Sequence, residues 1–508
     1  MLLSVAWFPF VPKQISVRSY SFFCLLFFSF GTLFGQWQTG WAMDPHAGIN
    51  AALLQPAATS AVPYDWDINL VQVSGFFDND YAFLGKASAL GVLRDLRQDQ
   101  PVEVNERAFI WQVGDSEYAY DYLNNGRKHF AFGGLDVLGP AISVQIGATT
   151  RIGAFTRIRG MASSRNIDTD FSYYPYSETP NGTTVSVDEV YAAAALWSEA
   201  GFHVSQAFEL ADDAEIRFGG NARLISAIDG ISVYNPAGSL FGKISLDSVS
   251  VAGTNLELAF STGLRGTPDQ GSTAGQGFAG DFGVQVAWNS LDKGGYQFVA
   301  GLSLLDVGRI QFDQTAETYL FATETPVTLV AEDYEFVEGQ EDIDAVLSTL
   351  GEEFYGEGNA AASRTGNNFS IGLPTTISAQ FSYRPIKEVQ LSAAYLGSIV
   401  TGPKSLSQGQ QLTLTGHYSS WWYGGGFALS AHNWRTINIG LQLRLGPIVL
   451  GSDRIIGSVL PASQLRGGDF YVGLKIHDFG GKGGKKKGGK GQFGNRGSRR
   501  KEVKCYTF

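Results

Sequence analysis

The residues of this chain that offer chemistry are six histidines, two cysteines and a scattered set of arginines. The histidines are His46, His129, His203, His417, His432 and His477. No two stand at the i, i+4 spacing of a zinc-binding helix, and none has a cysteine companion. Neither G-x-S-x-G nor H-E-x-x-H occurs. His203 with Ser205, or His432 with Asn433, has the residue types of a hydrolytic pair, but a histidine near a small polar residue is common in a chain of 508 residues. No catalytic centre, metal or cofactor is expected. If the first cysteine, Cys24, is removed with the apolar segment that holds it, Cys505 has no partner for a disulfide.

The arginines are more informative. Arg157, Arg159, Arg217, Arg223, Arg265, Arg384 and Arg444 fall in stretches that alternate polar and apolar residues. In "AEIRFGGNARL", Ile216, Phe218, Ala222 and Leu224 share one face, and Glu215, Arg217, Asn221 and Arg223 share the other. "NLELAFSTGLR" sets Leu256, Leu258, Phe260 and Leu264 against Asn255, Glu257, Ser261 and Arg265. "FGVQVAWN", "ISAQFSYR", "INIGLQLRL" and "FYVGLKI" repeat the pattern, and further strands are expected near Ser245 and Thr413. This period of two is that of a β-strand with one apolar face.

A soluble sandwich alternates too. Strands of about 9–11 residues, however, match a tilted membrane crossing, whereas sandwich strands run to about 5–6. A dry sandwich core also holds Arg, Gln, Asn and Glu only at high cost, while a wet lumen accepts them. Composition agrees: 17% charged, 13% aromatic, 63 glycines, and no apolar run after the first 40 residues that approaches a membrane helix. The expected fold is all-β, an antiparallel transmembrane barrel of about 14 strands over residues 66–477. Short turns at Leu445–Pro447 and longer polar stretches elsewhere fit tight turns at one end and long loops at the other. An even strand number puts both termini on one side, the periplasm. The seven arginines would then line the lumen. They either favour anionic or amphiphilic solutes or pair with Glu215, Glu257 and neighbouring carboxylates to pack a narrow interior.

The segments outside the wall have separate readings. Lys13 and Arg18 precede 13 residues, 22–34, that are largely apolar, which reads as a signal peptide over residues 1–35 cleaved between Gly35 and Gln36; a second possible cut follows Ala42. Residues 36–65 form a leader or a lumen plug. Residues 311–363 hold thirteen Asp or Glu and no Lys, Arg or His. Within them Ile343, Val346, Leu347, Leu350 and Phe354 recur at helical spacing, without the spacing of a calcium loop. From His477 onward there are ten Lys or Arg and two Asp or Glu, a charge of +8, which leaves −19 for the rest of a chain whose net is −11. Such a body repels nucleic acid, and no nucleic-acid partner is expected. Residues 478–508 read as a disordered, basic, glycine- and lysine-rich periplasmic tail ending in Phe508, a candidate signal for the barrel assembly machinery.

"DVLGPAISVQIGATTRIGAFTRIRG", "LPTTISAQFSYRPIKEVQLSAAYLGS", "GPIVLGSDRIIG" and the ending "KCYTF" together resemble an uncharacterised family of outer-membrane barrels of Bacteroidota, distantly similar to long-chain fatty-acid transporters. The resemblance implies a barrel of about 14 strands with an N-terminal plug in a Gram-negative outer membrane, and it names no substrate. Two functions are expected from it and from the residues. One is a channel or transporter for small amphiphilic or anionic molecules. The other is a non-conducting scaffold in a type IX secretion, gliding or surface complex. The partners expected are membrane lipid, the assembly machinery and a periplasmic or surface protein.

Overall fold

The computed structural model describes residues 38–97, 103–106, 117–123, 125–169, 179–261, 273–291, 295–334 and 343–478. The signal segment with Gly35 and Gln36, Arg265, and the tail with Phe508 lie outside them.

Fourteen strands close an antiparallel barrel. They are β1 (Trp66–Asn79), β2 (His129–Ile146), β3 (Thr150–Ile167), β4 (Val190–Ala211), β5 (Ala214–Asn235), β6 (Gly275–Ser290) and β7 (Tyr296–Phe312). The wall continues through β8 (Thr376–Ile386), β9 (Val389–Ser398), β10 (Gln410–Ser419), β11 (Tyr423–His432), β12 (Thr436–Leu445), β13 (Ile448–Ser452) and β14 (Gly467–His477). Each pairs with the next, and β14 returns to β1 with Val73 opposite Val472, so the wall closes on itself. Both ends of the wall, Trp66 and His477, lie at the end that carries the short turns, such as Asp212-Asp213 and Gly446-Pro447.

The two faces follow the alternation in the sequence. Leu224 is 68% exposed and Ile437 78%, while Arg223, next to Leu224, is 1% exposed and Arg444 is 2%. The apolar face is the outer surface and the polar face is the lumen.

Three expectations need correction. Thr254–Ser261 does not cross the wall; it pairs with Ala316–Thr323 and with the end of β5 in a layer beyond the long-loop end. Leu256, Leu258 and Phe260 alternate as in a membrane strand because that face packs in an apolar core, but Ala259 and Ser261 on the other face are buried as well. Ser245 lies in the turn of a hairpin, Ser239–Lys243 and Ser248–Ala252, whereas Thr413 is in the wall strand β10. The strands are also unequal. β2 to β7 have 16 to 22 residues, and β8 to β12 have 10 or 11. At about 3.3 Å per residue and a tilt near 45°, 22 residues rise roughly 50 Å, twice an apolar belt of about 25 Å. One half of the wall therefore stands beyond the belt.

That taller half carries a cap. Val327–Val330, Ser248–Ala252, Ser239–Lys243 and Thr184–Val187 form a four-stranded antiparallel sheet. The helix Ile343–Tyr355 buries Val346, Leu347 and Leu350 in one core with Phe260, Phe321 and Leu329, so the helical spacing in the acidic insertion was a correct signal. The Tyr334 hydroxyl donates to Glu353 at 2.6 Å. Burial, with the nearby Asp333 charge adding to it and the Tyr334 hydrogen bond opposing it, pushes the Glu353 carboxyl up from 4.5 to about 7. The folded cap thus holds this proton more tightly than the open chain does. The stability it contributes is complete below about pH 4.5 and is lost as pH rises through about 7. Amide exchange in the helix is expected to speed up between pH 6 and 8 beyond the intrinsic rate, and Glu353→Gln to remove that excess.

Candidate functional site: a plugged lumen

Residues 38–64 run inside the barrel at the short-turn end. Of the two readings of this segment, leader or plug, the structure shows the plug. It is made of short turns of helix, Thr39–Ala42, Gly48–Leu53 and Pro56–Ala61, in which Trp41, Ala47, Ile49, Ala52 and Ala57 are at most 1% exposed. Its small residues and its prolines, Pro45, Pro56 and Pro63, suit a compact coil that regular helix would not pack as closely.

Every part of the plug is tied to the wall. Thr39 donates to Asp453 at 2.8 Å, and the Trp41 indole donates to Gln72 at 3.1 Å. His417 donates to the Gly40 carbonyl at 2.6 Å, and Gln390 to the Met43 carbonyl at 2.8 Å. Ser419 donates to Asp44, and Lys475 to the His46 carbonyl. The Ile49 amide donates to Asp67, and Asn221 and Ser303 donate to the carbonyls of Ala52 and Leu54, each at 2.9 Å. Thr59 sits 2.6 Å from His203 Nε2 and 2.7 Å from Ser205. The His203–Ser205 pair is therefore an attachment for Thr59, fully buried, with Asn221 on the other ring nitrogen at 2.7 Å.

Small inward residues make the seat. Ser205, Gly219, Gly283, Ser303 and Ser378 are register neighbours on β4 to β8. A Cβ added at Gly219 would overlap the Pro56 carbonyl, and one at Gly283 would overlap the Gln55 side chain. Sequence reasoning passed over this row. Its signal is glycine at polar-face positions of alternating strands, where no turn calls for it.

Toward the loops from the plug lies a lattice of ion pairs that spans the lumen. Arg157 is paired with Asp136, its Nε donating at 2.7 Å. Arg159 reaches across to Asp306 on β7 at 2.7 Å and lies 3.4 Å from Glu199. Arg223 joins Asp281 at 2.6 Å, Asp306 at 2.8 Å and Glu199 at 3.2 Å. Asp281 also accepts from Asn221, which holds the plug at Ala52, so lattice and plug form one hydrogen-bonded network. Beyond the lattice, Trp197, Ile225, Ile310, Phe312, Ile371 and Leu373 belong to one buried apolar cluster.

The remaining arginines are separate from the lattice. Arg217 pairs with Glu215, Arg384 donates to Gln390, and Arg444 donates to the carbonyls of Ser420 and Trp421. Glu257 is bound by Lys404 outside the lumen. Of the seven arginines expected in the lumen, the six that are described thus all have polar partners. In the lattice, three arginines face four carboxylates, Asp136, Glu199, Asp281 and Asp306, which removes the basis for a net anion preference there.

One stretch of wall is not sheet. β13 has only five residues. It pairs with β12 from Leu441 to Leu445 and with β14 from Gly451 to Ile448. Between residues 436–440 of β12 and 467–470 of β14, the space is closed by a kinked segment, residues 453–460. Asp453 turns inward from it to hold Thr39 and the Gly40 amide of the plug, while Ile456, Val459 and Leu460 stand about half exposed.

Comparison with known proteins is silent on substrate. No curated protein matches the chain. The Pseudomonas putida toluene transporter TodX is 10% identical over 84% of this chain and 92% of its own, with a TM-score of 0.30. The translocator domain of the autotransporter NalP from Neisseria meningitidis is 9% identical over 87% and 99%, also with a TM-score of 0.30. A Pseudomonas aeruginosa FadL homologue is 11% identical over 87% and 96%, with a TM-score of 0.22. Identities and scores this low leave function to the chain's own residues. A family model matches residues 56–453, from the start of the last plug helix through every wall strand but β14 to Asp453, and the chain belongs to this family of unknown function, DUF5723.

Proposed function

We propose that the protein is an outer-membrane barrel that passes small amphiphilic molecules when its plug moves. The observation that carries this is the non-sheet panel, residues 453–460, hydrogen-bonded through Asp453 to Thr39 and Gly40 of the plug. A regular strand there would seal the wall, because its ladder would fix it on both sides. A panel held by the plug instead couples lumen and bilayer. An amphiphile has an apolar part at home in the bilayer and a polar part at home among the lumen's Ser, Thr, Gln and Asn side chains.

In this reading the short-turn end, with both ends of the wall, faces the periplasm, and the cap faces outward. The signal cut between Gly35 and Gln36 fits, since a cut after Ala42 would remove Thr39 and Trp41, two of the plug's anchors. The test is uptake of a fluorescent amphiphile by liposomes carrying the protein. Disrupting the panel bond with Asp453→Ala is expected to change the uptake rate several-fold, and identical rates would refute the coupling.

The cap supports a second reading, a scaffold for a surface or secretion complex. Its own hydrophobic core makes it a rigid platform above the wall. Affinity isolation from outer membranes, with and without residues 313–363, tests that reading: it predicts a partner that depends on the cap.

A further inference from the structure

The outer wall carries a hollow of about 460 Å³ across β6 to β10, on the side that would face lipid. Its shape follows from register. In one row across the strands, Val286, Ala300, Phe381, Ala393 and Leu414 are neighbours. In the next row the neighbours are Val284, Leu302, Ala379, Tyr395 and Leu412. The three alanines make the floor, and Leu302, Phe381 and Tyr395 make the rim. A ladder of stacked rings, Trp288 on Phe298 at 5.6 Å and Phe298 on Tyr383 at 5.2 Å, stiffens the side nearer the short turns.

At bilayer depth only hydrocarbon fills such a hollow well, and a volume of this size is that of an ordinary ligand site. The β8–β9 turn says which hydrocarbon. It presents Lys387, exposed, beside Glu388, half-buried. Arg384 is not available there, because its Nε donates to Gln390 on the inward side. A cation next to an anion complements a zwitterionic headgroup, phosphate to lysine and ammonium to glutamate. From Lys387 to Phe381 and Ala379 is six to eight residues, which a tilted strand covers in about 14–19 Å of depth. That is the reach of an acyl chain into half of a hydrocarbon core about 30 Å thick.

We infer that this hollow is a binding site for one zwitterionic phospholipid of the short-turn-side leaflet, its acyl chain on Ala300, Ala379 and Ala393 and its headgroup at Lys387 and Glu388. The inference rests on the membrane placement in the proposed function and not on transport. The test is native mass spectrometry of the full mature chain in mild detergent, titrated with phosphatidylethanolamine. The expected result is a single adduct that survives detergent exchange. Filling the floor with Ala379→Leu and Ala393→Leu together is expected to cut its occupancy at least tenfold, and Ile437→Leu on the far wall to leave it unchanged. No adduct on the parent chain, or equal occupancy in the filled variant, would overturn the site. So would a dimer that the filling abolishes, which would give the hollow to a second copy. Amphiphile uptake by the filled variant stays at the parent rate, so a failure of transport and a failure of this site are told apart; a chain recovered outside the membrane fraction would overturn both.

Discussion

Gly219→Val is expected to unseat the plug and to raise the conductance of the barrel in planar bilayers from near silence to a sustained level. The site has no slack. A Cβ at Gly219 meets the Pro56 carbonyl and the Ala57 amide nitrogen, which are backbone atoms and cannot rotate away. The wall cannot yield either, because Gly219 is bonded in ladder to β4 through Ser205 and to β6 through Gly283. The last plug helix is therefore the part that moves, and with it go the Thr59 bonds to His203 and Ser205. Deleting residues 38–61 removes the same contacts without touching the wall, and the two changes are expected to give similar conductance. Their selectivity is expected to be weak, since the lattice that then limits the lumen sets Arg157, Arg159 and Arg223 against four carboxylates. A strong anion preference would show that other groups line the path. A Gly219→Val barrel that inserts normally and stays as silent as the parent would place the seal outside the plug.

The second large effect belongs to Arg223. It is 1% exposed and binds Asp281, Asp306 and Glu199 at once. Arg223→Met leaves Glu199 and Asp306 with Arg159 and takes from Asp281 the guanidinium that holds it. Stripping a buried charge of its partner costs about 3–5 kcal/mol, whereas replacing both partners by apolar or neutral groups is close to neutral. Arg223→Met is therefore expected to shift barrel unfolding, followed by gel mobility after graded heating, to clearly lower temperature. Combining it with Asp281→Asn is expected to recover much of the loss. If the double variant is no more stable than the single one, the lattice is not held by these pairs.

Much of the wall could be read from alternation, because a two-residue period survives wherever one face meets lipid and the other the lumen. Ile437, Ile439, Leu441 and Leu443 against Asn438, Gln442 and Arg444 is such a case. The same rule misplaced Thr254–Ser261, since a strand packed in the core beneath a helix obeys it too. The lattice was half legible. Its arginines stood out on the polar faces, but their partners did not, because pairing across the lumen depends on register and closure rather than on local spacing. Asp306 was the hardest to see. It stands at a register shift between β6 and β7 with φ at +55°, so it breaks the alternation of "GLSLLDVGRI" at the point where its carboxylate turns inward. The plug was recognisable as a separate segment. Its seat was not, because the row Ser205, Gly219, Gly283, Ser303 and Ser378 exists only once the strands are side by side.

In the proposed function, plug movement governs passage through this barrel. A reversible lock tests it most directly. Thr59 and Ser205 approach to 2.7 Å through their hydroxyl oxygens, so Thr59→Cys with Ser205→Cys, in a Cys505→Ser background, offers a disulfide between plug and wall. Amphiphile uptake into liposomes is measured on one preparation before and after reduction. The expected result is uptake near the protein-free background when oxidised, returning to the parent rate when reduced. Parent-level uptake by the fully cross-linked protein would contradict the account, because passage would then need no movement of the plug.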